Sequence, residues 1–229
     1  MDAITTLLQS YDVPAAFWMT VKLTVLSALG ALVVGTVVAV CRVSPVGVLR
    51  GFGTAYVTLV RNTPLTLIVF FCAFGLLNTL NLSLAPAGSP TEVVDNNFRY
   101  GVVALSVYHA SFVAEALRSG INTVPQGQAE AARAIGLEFG ASLREVILPQ
   151  AFRGAIAPLG NTLIALTKNT TVVATIGVAE LAYLMRGMIE FNPSLLYAIF
   201  LLVAACFVLL TLPTGLLFTA LSRRLVVQR

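Results

Sequence analysis

Few residues in this chain could do chemistry, and they are scattered. His109, the one histidine, stands between Tyr108 and Ala110 in an apolar run. Lys168 opens the polar string Lys168-Asn169-Thr170-Thr171, with Asn161 two helical turns before it. Glu115 and Arg118 lie three apart, close enough to pair on one helix face, and Arg61 stands ahead of another apolar run. This set can hydrogen-bond and carry charge, but it offers no convergent His/Asp/Glu cluster for catalysis. Cys41, Cys72 and Cys206 occur singly in or beside apolar segments, without the paired spacing of a metal site or a disulfide framework. No metal site is expected. Ionisable groups in apolar runs normally face a cavity or a partner. His109 therefore reads as a satisfied or pore-lining polar residue. Lys168 is either a snorkelling helix-end lysine or a cation beside a path for solute, with Asn161, Asn169 and Thr170 as its hydrogen-bonding neighbours. Arg61, Glu115 and Arg118 read as anchors and a structural pair, or as parts of an inner gate.

The elements that must position these residues are set by composition. The chain is 58% hydrophobic and 10% charged, with mean hydropathy +0.90, whereas a soluble domain is about one-quarter charged. Runs near ~20 apolar residues are long enough to cross a ~30 Å hydrocarbon core. The expectation is an all-α, polytopic membrane protein forming one transmembrane domain over 1–229. Five spans are expected, near 17–40, 64–80, 100–117, 151–167 and 195–221. Thr63 is expected to cap the second, with Pro64 at its first position. Residues 81–97 read as an external loop, and the Gly-punctuated stretch around 172–188, which holds Glu180, as re-entrant or interfacial. Trp18 reads as an interface anchor. No basic n-region precedes the first apolar run, so that run is expected to remain as a span.

Orientation follows the basic residues. Arg42, Arg50, Arg61, Arg118, Arg133, Arg144, Arg153, Arg223, Arg224 and Arg229 fall on one side, against Arg99 and Arg186 on the other. The N-terminus is expected outside and the C-terminus in the cytoplasm. The net charge of +4 is spread too thinly to form a nucleic-acid patch.

On this reading the stretch GQAEAARAIGLEFGASLREVILPQA (127–151) is cytoplasmic. Ala132, Ile135, Phe139, Leu143 and Val146 recur at steps of three and four as one apolar stripe. Gly136 and Gly140 each cost a helix about 1 kcal/mol relative to Ala. Two short helices are therefore expected, resting on the bundle or docking into a groove on a partner, with Pro149 in the first turn of the next span.

The same stretch resembles the EAA signature of permease subunits of ABC importers. Glu130, Ala131, Ala132, Gly136, Leu148 and Pro149 match its spacing, with Val146 where Ile is usual. RNTPLTLIVFF (61–71), FVAEALRSGINTVPQGQ (112–128) and LGNTLIALTKNTTVVATIGVAEL (159–181) are similar to segments of the polar-amino-acid permeases, most of all the glutamate-permease chains of actinobacteria. The likeness runs over about residues 15–222.

The resemblance implies a type I ABC importer permease fold in a bacterial plasma membrane. It also implies coupling through the segment near 120–149 to an ABC ATPase dimer that carries ATP and Mg. Further implied partners are a second, distinct permease chain and an extracytoplasmic amino-acid-binding protein. The chain itself has no phosphate-binding loop, so it is expected to be a transport subunit rather than an enzyme, and to bind no cofactor. Where the family often has Asp beside the lysine, Asn169 would leave Lys168 unneutralised, which favours L-glutamate as substrate. Glutamine or aspartate transport, and a stand-alone ion-coupled transporter, are the alternatives. The last would call for buried mid-span carboxylates and repeated halves.

Overall fold

A computed structural model describes residues 9–225; Arg229 of the basic set lies outside them. Helix α1 (Val13–Val43) is capped by Asp12, whose carboxylate accepts from the Ala15 amide at 2.9 Å. At 1.5 Å per residue it is roughly 46 Å long, more than a bilayer core needs. Trp18 is exposed near its first turns, as an interface anchor should be.

The next helix, α2 (Gly47–Asn62), was not anticipated from hydropathy. It buries only Gly53 and Val57. Gly53 permits the contact with α1, since a Cβ there would meet Arg42 Cγ at 2.7 Å and the Val38 carbonyl at 3.1 Å. A bend of 105° at Thr63-Pro64 leads into α3 (Leu65–Phe70), which loosens into π turns over Phe71–Thr79. The bend corrects two expectations. The second span is not a free-standing helix, because α3 with its π turns covers no more than about 22 Å. Thr63 does not cap it either: the chain arrives already helical, so the Thr63 hydroxyl donates back to the Leu59 carbonyl.

Helix α4 (Glu92–Ile121) is the centre of the bundle, packed against α1 on one side and α7 on another. It starts earlier than expected. Asn96 is buried in its second turn, and its Oδ1 accepts from the Leu84 and Ala85 amides at 2.8 and 3.0 Å, clamping the outer loop to the helix. Tyr100 and Arg99 donate to the Leu82 and Leu84 carbonyls in the same clamp. The loop is therefore shorter than 81–97.

Two short helices follow, as the glycines imply: α5 (Gln126–Ala134) and α6 (Phe139–Ser142). A π stretch over Leu143–Ile147 runs into α7 (Leu148–Asn169), with Pro149 in its first turn. Beyond α7 a 3-10 stretch, Thr170–Ile176, ends at Gly177 with φ +82°. After a 57° bend the chain continues as α8 (Leu181–Phe191), so the segment near 172–188 is a break and a new helix. Helix α9 (Leu196–Leu225) packs on α7, and its apolar surface is mostly outward. Three helices are long and apolar enough to cross a membrane, or five spans if each bent pair counts as one. No strand occurs among the described residues.

Candidate functional site

The segment with the EAA spacing is built around one turn. At the end of α5 the Leu137 amide bonds the Ala132 carbonyl and the Gly136 amide bonds the Arg133 carbonyl, both at 3.0 Å. This is a Schellman closure, in which the residue just past the helix takes left-handed backbone. Gly136 does so at φ +86°, which a side chain would strain. The glycine of the EAA spacing thus stops α5 and redirects the chain.

That redirection splits the apolar stripe read from the sequence. Ala132 and Leu143 are buried, at 3% and 5% exposure, and Val146 is half-buried. Ile135 and Phe139 instead point outward at 78% and 43%. Glu130 and Ala131 are also exposed, while Leu148 and Pro149 start α7. The segment therefore presents two large apolar side chains away from its own bundle.

A second cluster joins α1, α2 and α4. Glu115 is shared by three arginines. Its Oε1 pairs with Arg42, and its Oε2 accepts from Arg118 through Nε and Nη2, both at 3.0 Å. Arg61 Nη1 stands off at 3.9 Å from Oε1, with its guanidinium over the Phe112 ring at 5.1 Å. The three gate residues expected from sequence are thus gathered, and Arg42 is an addition. Nothing local in the sequence marks Arg42 as more than a positive-inside residue, because its partner lies 73 positions away.

Phe112 links this cluster to His109, with ring centroids 6.0 Å apart. His109 is buried at 1% exposure. Its Nδ1 lies 3.1 Å from the Leu105 carbonyl, which can only accept, so the proton sits on Nδ1. Nε2 then accepts from Asn169 Nδ2 at 3.2 Å. His109 and Asn169, 60 residues apart, are therefore one polar pair at the α4–α7 contact.

The other expected path residues divide. Lys168 is exposed and makes no ion pair among the described residues. Asn161 is exposed on α7. Thr170 is fully buried, and its hydroxyl donates to the Thr167 carbonyl at 2.8 Å. Glu180, one of the longer fully buried side chains, caps α8 by accepting from the Ala182 and Tyr183 amides at 2.9 and 2.8 Å.

Comparison with known proteins places this arrangement. Residues 31–227 match the family described as the binding-protein-dependent transport system inner membrane component. The glutamate transport system permease protein GluC of Corynebacterium glutamicum is 56% identical over 93% of this chain and 94% of its own length. The probable glutamine ABC transporter permease protein GlnM of Bacillus subtilis is 35% identical, covering 91% of each chain. Among solved structures, that of an amino acid ABC transporter with histidines superposes with a TM-score of 0.77 at 28% identity, covering 98% of this chain and 96% of that one. With its helical spans and its EAA spacing, this chain belongs to the binding-protein-dependent transport system inner membrane components, as a permease subunit of an ABC transporter.

Proposed function

We propose that this chain imports L-glutamate, as one of two distinct permease chains driven by an ABC ATPase dimer and fed by an extracytoplasmic binding protein. The observation that carries the substrate is the 56% identity, over nearly the full length, to a permease named for glutamate transport. Lys168 supports it. Its ammonium has no carboxylate partner among the described residues, and the neighbouring Asn169 amide is committed to His109. An uncompensated cation beside the path suits an anionic side chain.

The partner chain is supported by a helix surface that does not suit lipid. On α7 the exposed positions Gly154, Ala157, Asn161, Ala165 and Lys168 form one stripe of small or polar residues, the type that packs helix on helix or lines a pore. The outward Ile135 and Phe139 supply the ATPase contact. ATP and Mg belong to that ATPase, and this chain's part is mechanical. The N-terminus is outside, with the Ile135 end in the cytoplasm.

The test is uptake in vesicles carrying the complete complex. Labelled glutamate should accumulate with ATP and binding protein, with glutamine and aspartate competing weakly. Preferential uptake of glutamine would end the assignment. In the same assay Asn169→Asp and Lys168→Ala should each lower glutamate uptake about tenfold or more, the value of one lost charge-assisted contact. Asp at 169 places an anion against the His109 lone pair and beside Lys168. Glutamate uptake unchanged in both variants would remove these residues from the path.

A further inference from the structure

The Glu115 cluster holds one more arginine than its carboxylate can use. Arg42 takes Oε1 and Arg118 takes Oε2. Arg61 remains 3.9 Å away with no hydrogen bond among the described residues, and it rests on the Phe112 face. Arg42 is 15% exposed in its side chain, against 44% for Arg61. One arginine is committed and the other is open. Three guanidiniums against one carboxylate leave two positive charges.

Arg61 faces a concavity of about 410 Å³ lined by Arg42, Thr58, Arg61, Asn62, Phe112 and Glu115, within the usual size of small-ligand sites, ~300–1,000 Å³. Phe112, which lines it, also lies beside His109, whose ring is paired with Asn169. The concavity also lies at the end of α4 that leads into the coupling segment. Planar guanidinium donors match a carboxylate in a way that a neutral amide cannot exploit as strongly.

We infer that this concavity is an exit site for the side-chain carboxylate of an acidic amino acid, which takes Arg61 in place of Glu115 as solute leaves for the cytoplasm. The inference rests on the reading of the chain as a glutamate permease with this end inside. Arg61 stands two residues before the 105° bend between α2 and α3. A bound carboxylate therefore acts at the hinge, and a cytoplasm rich in acidic amino acid slows the next cycle.

The test uses the complete complex in phosphatidylcholine vesicles, with ATP and either unlabelled glutamate or glutamine in the lumen, and labelled substrate outside. Luminal glutamate should slow initial uptake, and luminal glutamine should do so only at far higher concentration. In Arg61→Gln the glutamate concentration for half-maximal slowing should rise about tenfold or more, one charge-assisted contact, with Arg61→Lys between. Equal slowing by both amino acids, or by neither, overturns the exit site. If Arg61→Gln gives too little uptake to measure, equilibrium dialysis of labelled glutamate against the complex without binding protein reads the same site. Binding equal to wild type then overturns it. A second arm adds phosphatidylglycerol: a rate that depends on this lipid and not on luminal glutamate, and loses that dependence in Arg61→Gln, assigns the arginine to a lipid phosphate and overturns the proposal. Failure of the substrate reading shows separately, as empty vesicles that import glutamine in preference to glutamate.

Discussion

Ile135→Asp is expected to abolish ATP-driven uptake while leaving the permease folded in the membrane. Ile135 touches little of its own chain: it is 78% exposed at the end of α5, beyond the bundle and beside a Schellman turn that fixes its direction. Removing it should cost the isolated subunit within about 0.5 kcal/mol, as for other surface positions. Docked into an apolar groove, the same side chain contributes about 1.5–3 kcal/mol, and a carboxylate there must also be desolvated. The combined loss is about 3 kcal/mol or more, some hundredfold in ATPase affinity. Pull-down of the ATPase with the permease measures the affinity, and uptake measures the consequence. Ile135→Val removes one methyl group, costs about 1 kcal/mol, and should keep most transport. Full ATPase recovery with the aspartate variant would move the contact elsewhere on the segment.

That surface was partly legible in the sequence, and the reason is local. EAA spacing, Gly136 and Pro149 each act within a turn, so two short helices and a proline-started span could be read before any packing was known. The stripe from Ala132 to Val146 was misleading because it assumed one helical phase; the left-handed Gly136 resets the phase, and Ile135 leaves the face it shares on paper with Leu143. Helix α2 was missed for a different reason. Arg50, Arg61, three glycines and two threonines dilute its hydropathy, although Val48, Leu49, Phe52, Tyr56 and Leu59 recur at helical steps as one apolar face, the signal that could have found it. Thr63 looked like a cap because Pro64 marks a start, yet the residue before a helix start can also be the end of the previous helix. The pairings of Arg42 with Glu115 and of Asn169 with His109 join positions 73 and 60 apart, and no local rule sees such separations. Asn96 was read as loop because Asp-Asn-Asn is loop-like in composition. Its amide is consumed by the loop it was assigned to.

Glu180 separates a structural carboxylate from an ion-coupling one, and its substitution carries the other large effect. A fully buried carboxylate in a broken span is one of the two features that a stand-alone ion-coupled transporter would call for. What Glu180 contacts decides its role. Both oxygens accept from backbone amides, at Ala182 and Tyr183, and the Leu181 amide just before them is taken by the Thr20 hydroxyl of α1 at 3.3 Å. Three amides at the start of α8 are thereby satisfied where the chain turns by 57°. Glu180→Ala leaves the buried Ala182 N–H and the part-buried Tyr183 N–H without their acceptor, so a loss of about 2–4 kcal/mol is expected from thermal unfolding of the purified complex, with uptake falling through loss of folded protein. Glu180→Gln keeps one accepting oxygen and removes the charge. It should lose about half as much stability, and uptake per folded complex should stay near wild type at every external pH. Adding Thr20→Val to Glu180→Ala should cost less than the two separate losses combined, because once the cap is gone the α8 start is already loosened. A Glu180→Gln complex that is stable yet transports nothing, or whose uptake loses a pH dependence that wild type shows, would make this carboxylate part of the transport cycle rather than a cap.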